Sequence, residues 1–172
     1  MIDSPLSNIT LTIWNANGLK RQIIDSILTH TTHSSLFFLT ETFLLPPNTF
    51  PTHWSQYHAY GKRSENARVG NMGISLLINP NFPYKDQIVF IPNPPDSPFY
   101  HYSLSCHIDT LLIHCVYLPP SIPDTVAIEV LESLPLSLPN TTNTLFCGDF
   151  NARLKDFVGD HTANERGKPF FD

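Results

Sequence analysis

The sequence predicts an α+β fold of stacked, largely antiparallel sheets with helices on the outside, and three observations predict it. Short apolar runs bounded by turn residues recur along the chain, as buried strands do. Two intervening stretches carry apolar residues at helical spacing instead. Proline outnumbers glycine 16 to 7, which favours strand ends and rigid connections over long helices. With 172 residues, 41% hydrophobic and 15% charged, the chain suits one domain, 1–172, with a real core.

Ile9 to Trp14 alternates as a strand and runs into Asn15-Ala16-Asn17-Gly18-Leu19. Asn17 is expected to cap a helix whose stripe is Leu19, Ile23, Ile24, Ile27 and Leu28, fraying between Thr29 and Ser35. Leu36–Thr40 is a short buried strand ending in Glu41-Thr42, and a proline-punctuated loop covers 44–56. Met72–Asn79, Ile88–Ile91, Phe99–His107 and Thr110–Tyr117 then read as successive strands of one antiparallel sheet, with a tight hairpin at Ile108-Asp109. Ser121-Ile122-Pro123-Asp124 has the pattern of a capping box before a helix striped by Ile122, Val126, Val130 and Leu134, which Pro135 stops. Thr144–Cys147 is the last strand, a polar loop follows, and a helix is expected near Glu165.

Composition narrows the function. Cys106, Cys115 and Cys147 all fall in predicted strands, and an odd number without ligand spacing implies reduced, buried thiols in an intracellular compartment. The 8 histidines show no spacing of a zinc site. No stretch approaches the ~18 apolar residues of a membrane span. The formal charge of −5 opposes strong non-specific nucleic-acid binding. Its distribution says more: Lys62, Arg63 and Arg68 share one loop, while Arg153, Lys155, Arg166 and Lys168 follow the last strand. Arg68, Arg153, Lys155 and Arg166 are the candidates for nucleic-acid contact.

The most informative stretch is Cys147-Gly148-Asp149-Phe150-Asn151-Ala152-Arg153. A strand's period of two puts a carboxylate and a carboxamide on one face, and the glycine before them permits close backbone approach. Three upstream apolar runs also end in polar groups: Trp14-Asn15-Ala16-Asn17-Gly18-Leu19, Leu39-Thr40-Glu41-Thr42, and Val116-Tyr117-Leu118-Pro119-Pro120. With Arg68-Val69-Gly70, Met72-Gly73-Ile74-Ser75 and Thr162-Ala163-Asn164-Glu165-Arg166-Gly167, this ordered set resembles the endonuclease/exonuclease/phosphatase superfamily. It is most similar to the endonuclease domain of non-LTR (LINE-type) retrotransposons, from about residue 9 to the last.

The resemblance implies a four-layer αββα sandwich of the DNase I-like kind with its site at the joint rim of the two sheets. It implies a Mg²⁺-dependent phosphodiesterase, Mn²⁺ being a possible substitute. Glu41 is the expected cation ligand, and Asn15 completes that corner by ligating the metal or by hydrogen-bonding Glu41; Mg²⁺ needs few carboxylates because it keeps several waters. Asp149 would act as general base on the attacking water. Asn151 and Tyr117 would donate to a phosphate oxygen, and Asn164 would shape the following loop.

Family members carry a further aspartate and end in a Ser-Asp-His strand whose histidine works on the phosphate. This chain stops before either, so it is expected to be a C-terminally truncated domain that nicks DNA weakly or not at all. The family places it in the nucleus and acting on DNA, with a reverse transcriptase in the same longer reading frame. The alternatives are a non-catalytic remnant or nucleic-acid-binding module of the same fold, and an abasic-site repair-type nuclease.

Overall fold

A computed structural model of the chain describes residues 9–20, 23–63, 70–153, 164 and 166. Arg68, Lys155 and the helix expected near Glu165 lie outside the described residues. Eight strands are present: β1 (Leu11–Asn15), β2 (Leu36–Thr40), β3 (Ser55–Ala59), β4 (Ile74–Ile78), β5 (Ile88–Ile91), β6 (Ser103–Ile108), β7 (Leu111–Tyr117) and β8 (Asn143–Asp149). Helix α1 (Ile24–His30) follows β1, and α2 (Asp124–Glu132) joins β7 to β8. The strands form two four-stranded sheets, ordered β1-β2-β4-β3 and β5-β6-β7-β8, a two-sheet α+β fold.

The run 72–117 therefore does not make one sheet. β4 pairs with β2 and β3, and the chain crosses to the second sheet before β5. Continuous apolar runs carry no mark of which sheet they join, since β2 and β4 are buried along their whole length. β3 (Ser-Gln-Tyr-His-Ala) was not expected, because its residues lack the β-branched alternation that marks strands.

The sheets pack face to face over one core. Leu36 and Phe38 of β2 and Ile74, Leu76 and Ile78 of β4 meet Leu104, Cys106 and Ile108 of β6 and Ile113 and Cys115 of β7. Between them in sequence, Phe37, Leu39 and Leu77 face the other way and pack on Ile24 and Leu28 of α1, Phe50 and Trp54. On the far side, Val116 and Leu118 cover Ala127 and Val130 of α2. Two apolar faces per strand leave β2 and β7 little freedom to shift register, because a one-residue slip would exchange the two packing surfaces.

Both helix starts differ from expectation. Asn17 adopts φ 43 in a turn, and α1 begins at Ile24 with Ile23 at its N-cap and no side-chain cap. Ile23 is exposed, so the buried stripe is Ile24 and Leu28. Pro123 is the N-cap of α2 and no side chain caps it, so the capping box at Ser121 is not formed. All three cysteines are buried free thiols; burial pushes that of Cys106 up to about 12, with Cys147 adding to the effect. No helix among the described residues is long and apolar enough to cross a membrane.

His58 on β3 gives the fold a pH dependence. Its Nδ1 lies 2.7 Å from Ser75 Oγ and its Nε2 3.1 Å from Gln56 Oε1, and burial lowers its pKa from 6.5 to about 4. The unfolded chain then binds the extra proton below pH 6.5, so stability present above that pH is lost as pH falls towards 4. The loss should be roughly 2–3 kcal/mol. Urea unfolding at pH 7 and 4.5 checks it: His58→Gln should remove that share of the difference, and an unchanged difference would contradict the assignment.

Candidate active site

Parallel pairing is what assembles the site. β1 runs parallel to β2 and β7 parallel to β8, so Asn15 lies opposite Thr40 and Tyr117 opposite Asp149 at like ends of their strands. The two ends meet where the sheets stack. Asn15 joins them: its Nδ2 donates to Glu41 Oε1 and to Asp149 Oδ2, each at 2.9 Å. The carboxyl groups of residues 41 and 149 therefore sit within two hydrogen-bond lengths of each other, on one lip.

The orientation of that amide is set by backbone. Asn15 Oδ1 accepts the Asn17 N–H at 3.0 Å, in the turn that Asn17 closes with its positive φ. Of the two roles expected for Asn15, the structure shows the hydrogen bond to Glu41. Its Oδ1 accepts the Asn17 N–H, and the same amide acts as a positioning group for both carboxylates.

Glu41 reaches the lip because the chain leaves strand geometry there. In regular alternation it would face α1, away from Thr40. Its φ of 52 places it in the left-handed region, which costs a side-chain-bearing residue roughly 1–2 kcal/mol. Backbone bonds on both sides hold it: Gly18 N–H donates to Glu41 O at 2.8 Å and Thr42 N–H to Gly73 O at 3.1 Å.

Tyr117 is buried. Burial raises its hydroxyl pKa, and its hydrogen bond to Glu41 and the charges of Glu41 and Asp149 raise it further. Raised from its ordinary 10, the hydroxyl is a neutral donor near neutral pH. Asp149 is fixed from the second side by the Asn151 backbone N–H, which donates to its Oδ1 at 3.1 Å.

One of the two N–H groups of the Asn151 amide donates to Leu118 O at 3.0 Å and holds the β7 exit against β8, while the residue itself lines the cleft at this lip. Asn164 continues that bracing: its Nδ2 donates to Asn151 O at 2.9 Å and its Oδ1 accepts the Arg153 N–H at 2.8 Å. Arg166 is 4% exposed. Its Nε bonds Asp124 Oδ1 at 2.7 Å, and its remaining donors meet the carbonyls of Leu118, Pro119 and Ile122. A guanidinium enclosed this way is a clamp on the start of α2, not a contact for nucleic acid. Arg153 is exposed beside the lip.

A cleft of ≈ 570 Å³ opens here, lined by Ile13, Asn15, Thr40, Gly148, Asp149, Phe150, Asn151, Ala152 and Arg153. Its size is that of a small-molecule or single-nucleotide site. Thr40 and Ile13 were missed from sequence; Ile13 shares the strand phase of Asn15, whereas Thr40, the last residue of an apolar run, gave no such signal. Among the described residues the histidines lie elsewhere: His114 is buried between Ser105 Oγ and Pro135 O, and His101 binds Tyr60 O.

No protein-family model and no curated protein sequence matches the chain. Solved structures do. An AP endonuclease from Archaeoglobus fulgidus superposes with a TM-score of 0.62 at 12% identity, over 94% of this chain and 67% of its own. The 3′ phosphatase NExo from Neisseria, solved bound to a product DNA hairpin, superposes with a TM-score of 0.53 at 16% identity. That match covers 86% of this chain and 60% of the phosphatase. The chain has the DNase I-like two-sheet α+β fold that these two proteins share.

Proposed function

We propose that the chain is a Mg²⁺-dependent phosphodiesterase that nicks DNA. One observation carries this reading: a single amide, Asn15, clasps the carboxylates of Glu41 and Asp149 across two sheets beside an open cleft. Among the described residues no group of three or more His, Cys, Asp or Glu stands together as a metal site. The lip offers two carboxylates and a tyrosine hydroxyl, oxygen donors throughout. That set fits a hard cation that takes few protein ligands and keeps several waters. Glu41 would hold it, with Asp149 opposite, and when bound it would supply Lewis-acid polarisation of a phosphate oxygen.

The chain's own residues supply the rest. Asp149, held on both oxygens yet retaining further lone pairs, can take the proton of an attacking water. Tyr117 remains protonated and donates to developing negative charge. Asn15 keeps the two acids in register. Supercoiled plasmid should be nicked in Mg²⁺, not in EDTA, with Mn²⁺ restoring activity. At sub-saturating Mg²⁺, Glu41→Gln should lower the rate steeply, because the group that would hold the cation has lost its charge. Cleavage that ignores EDTA would refute the reading.

The finer assignment follows the strand-end motifs. It is a nick that primes retrotransposon insertion in the nucleus, with reverse transcriptase in the same longer reading frame and a four-layer αββα fold. The structural likeness to an AP endonuclease favours a second reading, abasic-site cleavage. A duplex with one abasic analogue separates them: incision at that position alone supports repair, whereas nicking of intact duplex supports the first. Mg²⁺ and DNA binding without incision would indicate a non-catalytic module.

A further inference from the structure

Three side-chain polar atoms of the described residues are buried with no hydrogen-bond partner: Thr40 Oγ1, Thr42 Oγ1 and His107 Nδ1. Only Thr40 among them lines the cleft. It is fully buried and shares the phase of Leu36 and Phe38, which face between the sheets. It stands opposite Asn15 in the β1–β2 ladder. Its backbone is tied, with Thr40 O accepting the Ala16 N–H at 2.8 Å, so the hydroxyl cannot leave by a shift of the strand. A buried hydroxyl without a partner is unfavourable, and a cleft-lining one is satisfied by what the cleft takes.

We propose that Thr40 is a positioning residue that hydrogen-bonds a water of a hydrated divalent cation held at the Glu41–Asp149 lip. This rests on the cation reading above. A cation's water both donates and accepts, as a hydroxyl requires. A bare anion is the poorer occupant beside the two carboxylates that Asn15 joins, although Arg153 also lines the cleft. Groups that hold a metal's own ligands in place typically change its affinity by about 10–100-fold.

Calorimetric titration of the metal-free protein with Mg²⁺, alongside metal-free melting, tests this. Thr40→Val keeps the shape and removes the hydroxyl. It should weaken Mg²⁺ binding about tenfold while the metal-free melting temperature stays level or rises. Thr40→Ser should retain wild-type affinity. If Thr40→Val binds Mg²⁺ as the wild type does, or melts far lower without metal, the proposal is overturned. If Glu41→Gln abolishes binding and Thr40→Val leaves it intact, Thr40 alone is misassigned. Absence of Mg²⁺ binding by the wild type would remove the cation reading and this proposal together.

Discussion

Gly148→Ala is expected to leave little folded protein. Gly148 sits inside β8 at φ +126, and an alanine Cβ there would lie 2.0 Å from Val116 O, with Val116 N at 2.8 Å and its carbonyl carbon at 2.9 Å. These are backbone atoms of β7, the partner of Gly148 in the ladder, so no rotamer change relieves the contact. Either the β7–β8 pairing opens or the strand is driven sideways into the packing around Cys115 and Cys147. The disfavoured φ alone costs about 1–3 kcal/mol, and the clash with immobile backbone comes on top. A domain holds only about 5–15 kcal/mol in all. At about 2–4 °C per kcal/mol for a chain of this size, a loss near 5 kcal/mol lowers Tm by roughly 10–20 °C. Near-ultraviolet circular dichroism and thermal melting read it directly. A variant within about 1 kcal/mol of wild type would show that β8 does not pair with β7 in this register, and Asp149 would then lose its place at the lip.

That dependence explains what could be read without coordinates. Asn15, Glu41, Tyr117 and Asp149 were found because each polar group follows an apolar run, and parallel neighbours in a two-sheet stack bring such ends together. β2 and β7 were legible for the same reason: Leu-Phe-Phe-Leu and Leu-Leu-Ile-His-Cys-Val leave no other burial. What failed was decided at short range by hydrogen bonds that composition does not encode. Asn17 spends its N–H on Asn15 Oδ1 and closes a turn where a cap was expected. Arg166 looked like one more cation in a basic loop, yet its guanidinium meets an aspartate and three carbonyls from 42 to 48 positions away. β3 was hidden because its partner β4, not its own sequence, makes it a strand. Thr40 was treated as the last residue of an apolar run, and only its burial without a partner marks it.

Asp149→Asn should abolish most activity while keeping the fold. The carboxylate accepts from two directions, from Asn15 Nδ2 on one oxygen and from the Asn151 backbone N–H on the other. An asparagine has one acceptor oxygen, so its NH₂ must confront one of these donors. The likeliest-looking conservative change is thus a poor one: it forfeits the proton acceptor and also one of two bonds that hold the side chain in place. Losing a charge-assisted bond at a half-exposed position should cost about 1–3 kcal/mol, and the packed sheets around it stay intact. Loss of a general base lowers rate by about 10²–10⁴-fold. The distinguishing measurement is a pair: nicking rate in saturating Mg²⁺, and melting temperature of the same preparation. A rate fall of that size with a Tm shift of no more than about 12 °C, which is what losing that one bond implies, assigns Asp149 to the proton transfer. A variant that nicks within about tenfold of wild type would exclude it, because a transfer that contributes 10² at the least cannot be lost so lightly. Glu41→Gln differs in kind: it should shift the Mg²⁺ concentration needed for half-maximal rate, whereas Asp149→Asn should lower the rate at any concentration of the cation.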